Sequence, residues 1–185
     1  NEYRDTHDFH YINIAHDDPD ANTFAIWEGY THAVSNAGYS TQKKSANHNT
    51  ILVNGQGQRT RGEPEGMHWS QPANGNVSML DMAFITNWKN AGAVALAEGE
   101  AVGSYPGSPL TRFRRSFIWN ENKYVLIFDD IRASLPARIS WLVQSERARA
   151  PDPENGEFQV ATWNKPVNFQ LKASQELDDY DMGLS

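Results

Sequence analysis

The 185-residue sequence contains no cysteine, which excludes disulfide staples and thiolate metal sites but leaves the cellular compartment open. It has no run of about 18 uncharged apolar residues, so no segment reads as a membrane-spanning helix. Residues 1–10 are polar and charged, and no cleavable leader is visible there; a mature secreted polypeptide and a cytosolic one read alike on this point. Positive charge is scarce: 16 Lys and Arg against 23 Asp and Glu give a net charge of -7 and a pI near 5.3. That balance argues against general nucleic-acid binding, and a polyanionic ligand would need a local cationic patch. Lys43 with Lys44, Arg59 with Arg61, and Arg112, Arg114 and Arg115 are the candidate patches, set against the plainer reading that each is a solvated surface group. The remaining composition, 39% hydrophobic and 21% charged, describes a globular chain long enough to bury one core.

Long helices are also lacking, because Gly and Pro punctuate the chain too often. The best helical stretch, 91–101, is alanine-rich but broken by Gly92 and Gly99, and it reads equally as a strand pair. Strand signals dominate instead. Phe24-Ala25-Ile26-Trp27, Thr50-Ile51-Leu52-Val53 and Tyr124-Val125-Leu126-Ile127-Phe128 are short β-branched and aromatic runs bounded by turn formers. Asn54-Gly55, Asn74-Gly75 and Asn155-Gly156 favour the positive φ of tight hairpins. Residues 115–118, 119–123 and 124–128 read as strand, polar hairpin loop and strand, while 139–143, 158–162 and 167–171 continue the series. The expectation is an all-β domain, an antiparallel β-sandwich over residues 1–175, followed by an acidic tail or truncation point at 176–185.

Polar chemistry is concentrated between His16 and Gln58. Asp18, Asp20 and Asn22 alternate like the first half of a calcium loop, but Thr23 stands where the turn glycine belongs and Gly29 where the bidentate glutamate belongs, so that reading fails. An Asx-rich turn leading into a strand is a second reading, with Asp20 and Asn22 capping backbone N–H groups. A third is a site for a metal or polar substrate, formed if pairing strands bring His48 to the His16 loop. The exposed-or-core question also arises for Trp27, Tyr30, Tyr39, Trp69 and Trp88: these can stack on sugar rings, but aromatics at strand spacing are expected mostly to face the core.

Taken together, His16-x-Asp18-Pro19-Asp20-Ala21-Asn22-Thr23-Phe24, Gly29, Gly38-Tyr39 and His48-Asn49-Thr50-Ile51-Leu52-Val53-Asn54-Gly55-x-Gly57-Gln58 resemble the signature of heparinase II/III-like polysaccharide lyases. Arg112-x-Arg114-Arg115, Asp129-Asp130-Ile131 and Trp141-Leu142 extend the resemblance more loosely. It implies the C-terminal β-sandwich of an enzyme that cleaves uronic-acid polysaccharides by β-elimination, secreted or periplasmic in location. It further implies an N-terminal helical toroid, which these 185 residues do not contain. The chain is therefore expected to supply one side of a cleft, with little or no activity alone; a non-catalytic carbohydrate-binding or structural sandwich is the alternative.

By the same resemblance His16 is the catalytic histidine, and Tyr39, Gln58 and Arg61 are substrate contacts. Asp18, Asn36 and His48 occupy the positions of a structural divalent metal site, zinc in relatives. Only His48 keeps the family's residue; Ser35 can take the place of Asn36 if the one-residue insertion is placed differently, and His32 lies near. Asp18 and His48 with carbonyl or water ligands would suit calcium or manganese, and a site without metal is equally compatible.

Overall fold

The computed structural model describes residues 18–36, 38, 43–58, 83–121, 123–145, 157–160 and 166–173. Within them ten strands run in chain order: β1 (Ile26–Glu28), β2 (Thr31–Val34), β3 (Ile51–Val53), β4 (Phe84–Asn90), β5 (Val94–Glu100), β6 (Leu110–Asn120), β7 (Tyr124–Ala133), β8 (Ile139–Trp141), β9 (Glu157–Val160) and β10 (Val167–Gln170). Every pairing is antiparallel. β4-β5-β6-β7 form a four-stranded meander, and β1-β2, β9-β10 and β3-β8 form two-stranded ribbons. The chain is thus all-β and sandwich-like, as its strand spacing implies.

Local chemistry explains the turns. Asn54 (φ 53°) and Gly55 (φ 75°) both take the left-handed conformation, and Val53 and Gln56 exchange backbone hydrogen bonds across them. The stretch 91–101 is neither a helix nor a strand pair in itself: 91–93 make the turn in which Gly92 has φ 75° and Ala91 N–H donates to Val94 C=O, and 94–100 are the single strand β5, whose partner β4 precedes the stretch. The hairpin loop between β6 and β7 is tighter than its polarity suggests. Trp119 and Asn120 belong to β6, paired with Val125 and Tyr124. Asn74-Gly75 and Asn155-Gly156 lie outside the described residues, as does the 176–185 segment.

Two apolar clusters hold these elements. Ile51, Val53, Ala101, Tyr105, Leu110 and Phe113 are buried together, with Ile131, Ile139 and Trp141 packed on them, so the β3-β8 ribbon covers one end of the meander. Ala33 and Val160 centre a second cluster, which joins the β1-β2 ribbon to β9-β10 through Ile26, Val167 and Phe169. The backbone beyond β8 stitches the ribbons: Leu142 N–H donates to Thr50 C=O and Ser35 N–H to Gln144 C=O.

Candidate functional site

The segment that carries the signature begins the described chain as an irregular loop, 18–25, and such a loop has no ladder to satisfy its backbone. Its carbonyls are taken instead by buried side chains from elsewhere in the sequence. Ser45 Oγ donates to Pro19 C=O (3.0 Å), and Thr50 Oγ1 and Gln58 Nε2 both donate to Ala21 C=O (2.9 Å each). Arg115 Nη1 donates to Asn22 C=O (2.7 Å) and Asn49 Nδ2 to Phe24 C=O (2.7 Å). In return Ala21 N–H donates to Gln58 Oε1 (2.8 Å), closing a two-bond amide pair. Asn22, at φ 58°, spends both amide hydrogens on β5 and β6, at Gly99 C=O (3.2 Å) and Phe113 C=O (3.1 Å). It therefore ties the loop to the meander instead of capping a local N–H. Gly99 permits this approach, because a Cβ there would collide with the Asn22 side-chain oxygen.

Arg115 is the centre of the frame and is fully buried. Its Nε and Nη2 form a bidentate pair with Asp129 Oδ1 and Oδ2 (2.7 Å each), its cross-strand neighbour on β7. Its Nη1 serves Asn22 C=O and Asn49 C=O (2.7 Å each), and its guanidinium lies 5.3–5.7 Å from the ring centres of Phe24, Phe113 and Trp141. Trp141 Nε1 donates to the same Asp129 (3.0 Å). Removing one member of such a buried pair strands the other, at a cost of roughly 3–5 kcal/mol.

The pleat separates the three neighbouring arginines. Arg112 and Arg114 project from the opposite face of β6, where Arg112 Nη1 binds Asp130 (2.8 Å) and Arg114 Nε lies 3.6 Å from Glu100 and 3.8 Å from Glu98. Hydrogen bonds from Arg132 and then Arg112 lower the Asp130 carboxyl to about 2. Glu98 is held below its ordinary value first by the Thr86 hydroxyl and then by Ser116. Neither of the expectations for this group holds in full: Arg115 is not a surface charge, and all three arginines face carboxylates, so they do not form an open cationic patch.

Of the residues singled out in the sequence, His16, Tyr39 and Arg61 lie outside the described residues, as do Arg59 and Trp69. Gln58 is 4% exposed; its Nε2 faces Thr50 Oγ1 (3.1 Å) and Tyr105 Oη (3.1 Å) besides Ala21, and its N–H donates to Ser45 Oγ (2.8 Å). Tyr105 Oη in turn donates to Ile51 C=O (2.9 Å), and burial raises its phenol above the usual range. Asn36 Oδ1 accepts from Thr23 Oγ1 (3.1 Å) and Asn49 Nδ2 (3.3 Å). Asp18 and His48 do meet: Asp18 Oδ1 is 4.0 Å from His48 Nε2, and the same oxygen is 3.8 Å from Lys43 Nζ. Lys43 and His48 are both buried, and His48 Nδ1 has no hydrogen-bond partner among the described residues.

This donor set does not fit the divalent ion that the resemblance implies. Asp18 and His48 approach one another, but Asn36 Oδ1 is committed to Thr23 and Asn49, and an ammonium stands beside the one carboxylate. No group of three His, Cys, Asp or Glu converges among the described residues. The orphaned His48 Nδ1 is the nitrogen that does not face Asp18, so it adds no donor to that pair. Sequence reasoning missed Ser45, Asn49, Thr50, Tyr105 and Asp129 as frame members; the one signal for Asn49, Thr50 and Asp129 was their position inside the motif and its extensions, and Ser45 and Tyr105 carried none.

The aromatic expectation is overturned for three residues. Trp27 is 65% and Trp88 66% exposed, and Tyr30, at the tip of the β1-β2 hairpin, is fully exposed. Trp27 stacks on His32 with ring centres 4.4 Å apart. β1 is only three residues long and Trp27 alternates outward from the buried side on which Ile26 packs, so strand spacing alone does not bring it to the core.

Residues 10–174 match the family described as Heparinase II/III-like, C-terminal. A solved heparinase III structure superposes with a TM-score of 0.51 at 13% sequence identity, over 86% of this chain and 28% of that one. A search of curated protein sequences returns no match.

Proposed function

The chain belongs to the heparinase II/III-like C-terminal family, and from that premise we propose that it supplies the sandwich side of the cleft in a larger polysaccharide lyase. The substrate in this reading is a uronic-acid polymer, such as alginate or a glycosaminoglycan, cleaved by β-elimination outside the cytoplasm. The family match over 10–174 carries the reading, because it spans His16 and every residue of the frame. No helix among the described residues is long and apolar enough to cross a membrane.

β-Elimination requires the C5 carboxylate to be neutralised, the C5 proton removed, and the departing O4 protonated. His16 has the side chain suited to proton transfer or carboxylate neutralisation near neutral pH. Two residues before Asp18, it leaves a loop whose backbone is fixed at Pro19, Ala21, Asn22 and Phe24, which supports a role at a defined position. Tyr39 and Arg61 complete the proposed sugar contacts. Gln58, with its amide engaged by Ala21, Thr50 and Tyr105, serves in this reading by shaping the loop. Its remaining partners would come from a helical domain of the larger protein.

His16→Ala in the intact protein is expected to abolish release of unsaturated uronate without changing the thermal midpoint. Full activity in that variant would remove His16 from the mechanism. Unsaturated-uronate absorbance produced by the purified 185-residue chain alone would contradict the half-cleft reading.

One observation favours a second reading, a non-catalytic carbohydrate-binding module. The exposed Trp27–His32 stack offers a face on which a pyranose ring can lie, and Tyr30 is exposed at the tip of the same hairpin. Oligosaccharide affinity lost in Trp27→Ala, with no elimination in the intact wild type, would select it over the lyase.

A further inference from the structure

We propose that the Lys43 ammonium does the work of a divalent ion in this domain, so that the signature loop is held without metal. Three observations lead there. Lys43 is 4% exposed, and its Nζ lies 3.8 Å from Asp18 Oδ1, so a full positive charge is already inside the site. That same oxygen is the one that approaches His48 Nε2, at 4.0 Å, so ammonium and ion would compete for one carboxylate. Asn36 is neutral, and its oxygen is turned to Thr23 and Asn49.

Charge balance decides between the two cations. Of Asp18, Asn36 and His48, only Asp18 is a carboxylate, and the Lys43 ammonium already stands beside it. A dication added to the same site would sit within a few ångströms of Lys43 in a poorly solvated region, where like charges repel strongly. A buried lysine also requires a partner, and Asp18 provides one. Both ends of the interaction are anchored: Pro19, next to Asp18, is held by Ser45, and Ser45 lies two residues from Lys43. The pair therefore clamps the start of the loop to the 43–48 segment, the mechanical task that a structural ion would otherwise perform.

The test combines metal analysis and thermal unfolding of the intact protein. Wild type is expected to carry well under one equivalent of any divalent metal, and EDTA, zinc or calcium is expected to leave its thermal midpoint unmoved. Lys43→Met is expected to lower the midpoint by roughly 10 °C, since it leaves Asp18 without its cation. Adding Asp18→Asn to Lys43→Met should recover part of that loss. Lys43→His should gain a rise in midpoint with zinc that wild type lacks. Stoichiometric metal in wild type with a fall in midpoint on chelation would overturn the proposal, and so would a Lys43→Met protein as stable as wild type. If Lys43→Met fails to fold, the wild-type metal content and chelator response still decide the matter.

Discussion

The loop frame and the far half of the meander occupy one small fold but solve opposite problems. Around residues 18–58 the chain buries polar groups and spends them on one another: Arg115, Asn49, Thr50 and Ser45 are fully buried, and each is hydrogen-bonded. Beyond Gly99 and Arg115 the sheet exposes apolar groups on both faces. Trp88, Ala97, Phe117 and Ile127 form one cross-strand row, and Lys89, Leu96, Ile118 and Leu126 the adjacent row on the other face. Trp88, Trp119, Leu126 and Phe128 are all exposed. A buried polar network specifies one geometry, because each member is costly to leave unpaired. An exposed apolar sheet specifies little by itself and gains most when something packs on it. The contrast is between a frame that poses a loop and a sheet that leaves apolar surface open.

The comparison can be broken most forcefully at its centre. Asp129→Asn or Arg115→Met should cost roughly 3–5 kcal/mol in denaturant unfolding, since each leaves a buried charge without its partner. Gly99→Ala should cost about 1–3 kcal/mol, because the new methyl displaces Asn22 from its bonds to Gly99 and Phe113. A cost that does not grow when Gly99→Ala is added to Asn22→Gly would identify the displaced Asn22 side chain as the cause. Trp88→Thr, on the exposed sheet, should change stability by no more than about 0.5 kcal/mol while reducing self-association of the isolated chain; a large loss of stability would mean that this face is already covered.

The smallest effect is electrostatic. The folded-state value for Asp130 is depressed from 3.8 to about 2, so its ionised pairing with Arg132 and Arg112 is complete above 3.8 and fades as the pH falls toward about 2. An NMR titration should place its inflection at about 2, and Arg132→Gln should move it back toward 3.8. An unshifted wild-type inflection would remove the pair from the account.

Much of the fold was legible because it depends on short-range chemistry. The Asn54-Gly55 turn, the strands around 51–53 and 124–128, and the strand at 139–141 follow from turn residues and β-branched runs. The frame was harder to read, because its partners are distant: Arg115 meets Asn22 across 93 positions and Gln144 meets Asn49 across 95. Composition does not distinguish Arg112, Arg114 and Arg115; the pleat does, once the register with Asp129 and Asp130 is known. Lys43 was misleading in the same way. A lysine beside a second lysine reads as a solvated pair, yet one is buried against Asp18 while Lys44 is exposed.

The central claim is that the signature between Asp18 and Gln58 works mainly as a frame that fixes the loop next to His16. Amide hydrogen exchange on the intact protein, wild type against Gln58→Leu, tests it most directly. The account predicts that the Ala21 amide, bound to Gln58 Oε1, is protected in wild type and exchanges far faster in the variant, with Thr23 and Asn49 following. Amides in the β6-β7 ladder should keep their protection. Unchanged Ala21 exchange in a Gln58→Leu protein that has lost only sugar affinity would contradict the frame and make Gln58 a substrate contact instead.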